Sequence, residues 1–417
     1  MALISPRLKT PFLGFELENP FILSASPSTD ELTIARRGLN AGWAGLVLKT
    51  TSLETTKVDL AYPMMSAFGD GAIAGMGNID LISAYHIKEI ANRVVALKKE
   101  FPTKLIAASI MSDSKEGWQK LVTILKGAGA DLIECSFSCP QGNVGEDAGN
   151  RGAAPAMLAQ SAAATERVAG WVKEAAGDLP VLIKITPQVT DIAAIAEAVR
   201  RSGCDGVTAS NSVPGLMGIS LDTLRPIPNV GGYSTYSGLT GPGIKPITLR
   251  AVAEIARNVP GLAISGNGGV MNWRDAVELL AVGAGNVQIC TAVMLHGFGI
   301  IDDMMSGLNN YLEDKRLNSV TDLIGVALPY ITDHDSLPRQ KVRSFVVEER
   351  CIGCGRCYIA CRDGGHEAIE WNQETRRPHI PIDKCVGCGL CLLTQPVAGC
   401  LELRIADCGM GGAESPA

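Results

Sequence analysis

The run Cys351-Ile352-Gly353-Cys354-Gly355-Arg356-Cys357-Tyr358-Ile359-Ala360-Cys361 sets four cysteines at C-x2-C-x2-C-x3-C spacing. The first half of that pattern returns at Cys385, Cys388 and Cys391. Three thiolates so closely spaced suit one iron–sulfur cubane. C-x2-C pairs also serve tetrahedral zinc, but zinc sites seldom use three cysteines at this spacing, so the pattern reads as iron–sulfur.

Taken together the two runs resemble a bacterial-type ferredoxin with two [4Fe–4S] clusters. In that arrangement the fourth cysteine of each run ligates the other cluster, which implies that Cys361 joins Cys385, Cys388 and Cys391. The second run departs from the pattern at Cys391-Leu392-Leu393-Thr394-Gln395-Pro396, where the expected proline is present and the cysteine before it is Gln395. The cluster of Cys351, Cys354 and Cys357 then takes Gln395 as a ligand, takes Cys400, or has only three protein ligands. A harder ligand or an open iron alters potential and lability.

Outward from these runs, the chain is large enough for a second, bigger domain. Its 417 residues are 46% hydrophobic and 19% charged, which supports one large core and one small one. A net charge of −6 and a pI near 5.5 argue against nucleic acid as a partner. Seven of the thirteen cysteines lie in the two runs and the others are scattered, as in a reducing compartment. The first ten residues hold no apolar signal core, and no apolar run reaches membrane-spanning length, so a cytoplasmic location is expected.

Before the cysteines, short apolar runs alternate with helical patterns. The strand candidates are Phe21–Ser24, Gly45–Lys49, Leu105–Ile110, Leu132–Phe137, Val181–Ile185, Gly206–Ala209, Leu262–Ser265 and Asn286–Cys290. Each is almost continuously apolar, as strands buried on both faces are. Helices are expected at Ile79–Lys99, Glu116–Lys126, Met157–Ala176, Ile192–Arg201, Pro246–Asn258 and Trp273–Leu280. Small-residue turns such as Gly127-Ala128-Gly129-Ala130-Asp131 and Val282-Gly283-Ala284-Gly285-Asn286 return each helix to a strand. Eight such units predict an α/β fold, a (β/α)8 TIM barrel, followed by a small α+β ferredoxin-like domain. No G-x-G-x-x-G opens a helix after the first strand, so no dinucleotide domain is read here.

Function in such barrels collects after the strands. Those positions carry Ser24, Lys49-Thr50, Ser136-Phe137-Ser138-Cys139-Pro140, Lys184, Ser210-Asn211-Ser212, Gly266-Asn267-Gly268-Gly269 and Cys290-Thr291. Two lysines at strand ends need anions or acceptors. The Gly268-Gly269 turn with Thr291 matches the phosphate cradle expected after strands seven and eight, which points to a mononucleotide cofactor across the mouth.

Lys49-Thr50, Asn78-Ile79, Ser138-Cys139-Pro140, Ile183-Lys184, Asn211-Ser212-Val213, Gly215-Leu216-Met217-Gly218 and Gly268-Gly269 together resemble the flavin barrel of dihydropyrimidine dehydrogenase. That barrel is related to dihydroorotate dehydrogenase, and in the pyrimidine enzyme it is followed by the same two-cluster module. The likeness runs from Leu8 to Leu403. It implies FMN contacts from Ser24, Lys49, Thr50, Lys184, Gly241, Gly268, Gly269 and Thr291, with a lysine stabilising the anionic reduced ring. It implies that Asn78, Asn211 and Ser212 bind the imide edges of a pyrimidine, since an asparagine offers both donor and acceptor. It also implies that Cys139 is the general acid. Ser136 stands where the family has a third substrate asparagine, and the loop from Gln141 to Met157 differs from the family's, so both bear on substrate choice.

Chemistry supports an acid of that kind. Reducing a conjugated C=C takes hydride at one carbon and a proton at the other. A thiol with a reference pKa of about 8.5 is protonated at neutral pH and still ionises. Cys135, Cys204 and Cys290 read instead as small core residues. The histidines follow no ligand or triad spacing.

The expected organisation is a barrel over 1–315, a linker over 316–343, the cluster domain over 344–405 and a disordered tail over 406–417. The leading expectation is reduction of the 5,6 double bond of uracil or thymine, in pyrimidine catabolism. The alternatives are reduction of another unsaturated ring, or an electron-transfer subunit with no substrate chemistry of its own. With no nicotinamide site in the sequence, the resemblance implies a separate FAD- and NAD(P)H-binding subunit in an oligomeric assembly, contacting the surface around Gly353, Gly355, Gly387 and Gly389.

Overall fold

Eight parallel strands close on one another in chain order in the computed structural model, which describes residues 5–53, 61–138, 157–381 and 383–405. They are β1 (Phe21–Leu23), β2 (Gly45–Thr51), β3 (Leu105–Ile110), β4 (Leu132–Ser136), β5 (Val181–Ile185), β6 (Gly206–Ala209), β7 (Ala263–Asn267) and β8 (Asn286–Ile289). Nearly every residue in them is buried, because helices cover the outside and side chains fill the inside. The TIM barrel expected from the apolar runs is therefore present, with strand limits within two residues of those read from sequence.

The covering helices are α1 (Leu32–Ala41), α2 (Ile87–Glu100), α3 (Lys115–Gly127), α4 (Ala162–Ala176), α5 (Ile192–Arg201), α6 (Lys245–Asn258), α7 (Trp273–Ala281), α8 (Thr291–His296) and α9 (Ile300–Asp314). Local chemistry sets their starts: the side chains of Ser114, Ser161, Asp191 and Asn272 each accept an amide hydrogen from the first turn that follows. Two expected helices differ. The segment from Ile79 starts its helix only at Ile87, because the Ile79 and Ser83 amides donate to the Met64 and Thr50 carbonyls rather than to a helical ladder. The segment from Met157 breaks at Ser161, with a 3-10 turn before it and α4 after it.

An N-terminal hairpin, Thr10–Phe12 with Phe15–Leu17, packs Phe12 and Leu17 with Ile22, Val47, Leu105, Leu132 and Leu182 from the barrel strands. Insertions after β2 and β6 build an antiparallel four-stranded sheet that the sequence reading did not contain. Its order is Val213–Gly215, Ser237–Thr240, Gly75–Asn78, Met65–Phe68.

The chain divides into two compact units, 1–331 and 332–417. In the second, Val342–Val346 pairs antiparallel with Leu401–Ile405, and Glu370–Asn372 with Arg377–His379. Helices α10 (Arg356–Gly364) and α11 (Leu390–Leu393) each follow a left-handed glycine, Gly355 at φ 73° and Gly389 at φ 79°. Among the described residues no helix is long and apolar enough to cross a membrane.

Trp118 of α3 is fully buried and meets Phe137 edge-on at 5.4 Å between ring centres. Trp118→Ala should lower unfolding free energy by ~3–5 kcal/mol, the usual cost of emptying an aromatic core site. Denaturant titration of the barrel's far-ultraviolet circular dichroism would measure the loss.

Candidate active site and cluster ligands

Lys49 on β2 and Lys184 on β5 are held almost wholly out of water, each with a side chain 7% exposed. An ammonium so placed must be paired. Lys49 donates to Asp80 Oδ2 at 2.5 Å, while the second oxygen of that carboxylate has no partner. Lys184 donates to Ser24 Oγ at 3.4 Å and lies 3.6 Å from Glu134 Oε1. Glu134 Oε2 accepts from Thr208 Oγ1 at 2.7 Å and from Gln288 Nε2 at 2.9 Å, and Gln288 also reaches Ser265. A polar network inside the barrel thus leads to one of the two lysines.

Asp80, Glu134 and Gln288 were not singled out from sequence. For Glu134 and Gln288 the available signal was a lone charged or amide residue inside a strand buried on both faces, which must have a partner within the barrel; Asp80 lies in a loop and carried no such signal. Cys290 also differs from its reading as core filler. Burial pushes its thiol up, while the charges of Lys184 and Lys49 act on it from nearby. Cys135 and Cys204 do sit in the core, and burial pushes Cys204 up to about 11.

At the β7 end, Gly268 and Gly269 take φ of 123° and 81°, a region open mainly to glycine. A Cβ on Gly269 would come within 2.5 Å of Lys245 at the start of α6, so the turn and the helix N-terminus are in close contact. The Thr248 hydroxyl beside Gly268 is buried without a partner. Thr291 donates to Thr240 at 3.0 Å, and Gly241, at φ 82°, packs on the Thr291 methyl group. Thr50 pairs with Ser109 at 2.8 Å.

These features suit FMN. A helix start and a glycine turn can receive a phosphate, buried lysines can meet a ring that gains negative charge, and the hydroxyls of Ser210, Ser237 and Thr248 are buried without partners.

Asn78 donates to the Gly238 carbonyl at 3.4 Å, and Ser212 packs against the same glycine. Asn211 donates to Ser138 Oγ at 2.7 Å. Ser136 is buried at the end of β4, opposite Lys184 in register. Cys139 and residues 141–156 of the loop after it lie outside the described residues, as do Cys408 and the tail from 406.

In the second unit, Cys361, Cys385, Cys388 and Cys391 line one open pocket together with Ser344 and His366. The Ala368 amide donates to Cys361 Sγ at 3.3 Å. Burial pushes the Cys357 thiol up to about 11, with the sulfurs of Cys391, Cys354 and Cys351 adding to the rise. Gly353 and Gly387, at φ 65° and 73°, sit where a Cβ would strike the Arg376 and Val342 carbonyl oxygens. Among the described residues no three His, Cys, Asp or Glu side chains converge as they would on a single metal ion. A cubane is instead held by sulfurs spread around it.

Residues 7–312 match the family model for dihydroorotate dehydrogenase, and residues 344–403 match a 4Fe-4S dicluster domain. The chain is 36% identical to the NAD-dependent dihydropyrimidine dehydrogenase subunit PreA of Escherichia coli (strain K12), over 99% of both chains. It is 33% identical to the chloroplastic dihydropyrimidine dehydrogenase (NADP(+)) of Arabidopsis thaliana, over 81% of this chain and 80% of that one. It is also 33% identical to the catalytic subunit of dihydroorotate dehydrogenase B (NAD(+)) of Pyrococcus horikoshii, over 78% of this chain and 99% of that one.

Gly269→Ala combines a left-handed backbone with a Cβ that displaces the start of α6. FMN retention should weaken about tenfold or more, equivalent to a loss of about 1.4 kcal/mol. The flavin-to-protein absorbance ratio after dialysis would report it.

Proposed function

The chain belongs to the dihydropyrimidine dehydrogenase family, with a dihydroorotate dehydrogenase-type barrel joined to a 4Fe-4S dicluster domain, and from that premise we propose how its residues divide the work. It is the pyrimidine-reducing subunit of an oxidoreductase, and it converts the 5,6 double bond of a base such as uracil or thymine to the dihydro form. The observation that carries this reading is the pairing of two buried lysines and a phosphate-type glycine turn at one barrel mouth with a cavity lined by four cysteines in the second unit.

FMN, when bound, supplies the hydride. Lys49, Thr50, Lys184 and Ser24 would hold its ring, the two lysines placing positive charge beside a ring that gains negative charge. Gly241, Gly268, Gly269 and Thr291 would receive its phosphate. Asn78, Asn211 and Ser212 orient the flat base, and Ser136 leaves more room beside it than an amide would. Cys139 gives the proton to the carbon that does not receive hydride, and the thiolate recovers a proton from solvent. Barrel, linker and cluster domain are assigned to 1–315, 316–343 and 344–405, the linker's first part, to Ile331, belonging to the barrel's compact unit with Val320 and Leu323 in its core, in a protein of the cytoplasm.

PreA of Escherichia coli is a subunit of an NAD-dependent enzyme. A second chain that oxidises NAD(P)H on FAD would supply the electrons, docking around Gly353, Gly355, Gly387 and Gly389 beside the cysteines that would hold the two clusters. Ile352 and Val386, exposed between the cysteines of the two runs, give that surface an apolar edge.

Cys139→Ser should lower turnover of the base by ~10²–10⁴, the usual worth of general acid catalysis, with FMN content unchanged. Wild-type turnover in that variant would remove Cys139 from the mechanism. The homogeneous chain alone should accept electrons from reduced viologen but not from NADH or NADPH. Robust NAD(P)H oxidation by the isolated chain would show a nicotinamide site within it and rule out the second subunit as the donor site.

A further inference from the structure

The fourth ligand of the first cluster can be assigned, provided the second unit is the two-cluster module just described. Cys351, Cys354 and Cys357 need one more donor. Gln395 holds the position that spacing would give to it, but its carbonyl oxygen is already engaged. Oε1 accepts the Leu401 amide at 3.1 Å and lies 3.6 Å from Cys400 Sγ. That ties Gln395 to the start of the strand Leu401–Ile405.

Cys400 is placed differently. Its carbonyl accepts the Val347 amide at 3.0 Å, and the Cys351 amide in turn donates to the Val347 carbonyl at 3.1 Å. The turn that presents Cys351 and the residue Cys400 are thus joined through Val347. Arg350, next to Cys351, donates to the Ala398 carbonyl at 3.4 Å and packs over Gly399. Cys400 itself closes a turn of Pro396-Val397-Ala398-Gly399, with Gly399 at φ 72° and the Cys400 amide on the Val397 carbonyl at 3.2 Å.

We propose that Cys400 supplies the fourth thiolate of the cluster held by Cys351, Cys354 and Cys357, and that Gln395 is no ligand but braces the turn that carries Cys400. The cysteine missing from the second run is replaced by one five positions later, brought back by the Gly399 turn. Ligation exchanges the Cys400 sulfur–hydrogen bond for a sulfur–iron bond, the proton passing to solvent, as for the other three thiols. Both cubanes then have four thiolate ligands, and neither has an iron open for exchange.

The test is anaerobic iron and acid-labile sulfide analysis of the full-length chain, with electron paramagnetic resonance of the dithionite-reduced protein. The wild-type chain should hold about eight irons. Cys400→Ala should lose about half of them, or convert the first site to a three-iron signal, while the signal of the second cluster persists and shows the unit to be folded. Gln395→Ala should keep about eight. Cys400→Ala with full iron and a wild-type spectrum would overturn the assignment, as would loss of the first cluster in Gln395→Ala alone. If Cys400→Ala loses both clusters, recovery of iron on adding Gln395→Cys supports a ligand role, and no recovery overturns it. A wild-type chain without iron–sulfur absorbance would instead overturn the two-cluster reading on which the proposal rests.

Discussion

Keeping two ammonium groups out of water at one end of a closed barrel is the constraint on which the site depends. An unpaired buried charge costs several kcal/mol, so each lysine comes with an acid. Lys49 is neutralised by Asp80, which a loop brings back over the barrel after Asn78. Lys184 is balanced from below by Glu134, which has no exposure at all and is itself held by Thr208 and Gln288. The network runs from β4 through β6 and β8, so the lysine's environment is fixed by the barrel rather than by a mobile loop. That arrangement leaves both lysines positioned before any ligand arrives, each ammonium oriented by its acid, which is how electrostatic stabilisation acts at least reorganisation cost.

The second unit meets a different constraint, and meets it with glycine. Its cysteines must turn inward within a few residues, which requires left-handed backbone between them. Gly353 and Gly355 in one run, and Gly387 and Gly389 in the other, take φ between 65° and 79°. Gly353 and Gly387 also sit where a side chain would strike a neighbouring carbonyl. The glycines read from sequence as a docking surface therefore have a local reason to be glycine, independent of any partner.

Much of this was legible in the sequence because burial on both faces leaves a plain signature. Continuous apolar runs marked all eight barrel strands, and Gly-rich turns marked the returns between them. The four-stranded insertion was not legible: Gly75-Met76-Gly77-Asn78 and Val213-Pro214-Gly215 have the composition of loops and pair only because the barrel brings their ends together. Glu134 was hidden for the opposite reason, since one acid within Leu132-Ile133-Glu134-Cys135 does not disturb an apolar pattern. Cys290 was read by the habits of its residue type, and those habits say nothing about a lysine that arrives from β5. Ile79 to His86 has a helical look, yet strand-end carbonyls capture its amides first.

The strand Ser237–Thr240 joins the two ends of the candidate site. Its Gly238 carbonyl receives Asn78, and the same glycine leaves room for Ser212, both proposed to face the base. Two residues on, Thr240 receives Thr291, proposed to face the phosphate, and itself donates to the Met76 carbonyl at 3.0 Å. A slip of one residue in this pairing would turn every side chain to the opposite face, detaching Asn78 and Thr291 together. The register is pinned by the Thr240 hydroxyl on Met76 and by Met217, which fills the space that glycine leaves at Gly77. In the site proposed above, base recognition and cofactor placement are therefore coupled: one short strand, in one register, positions the residues assigned to both.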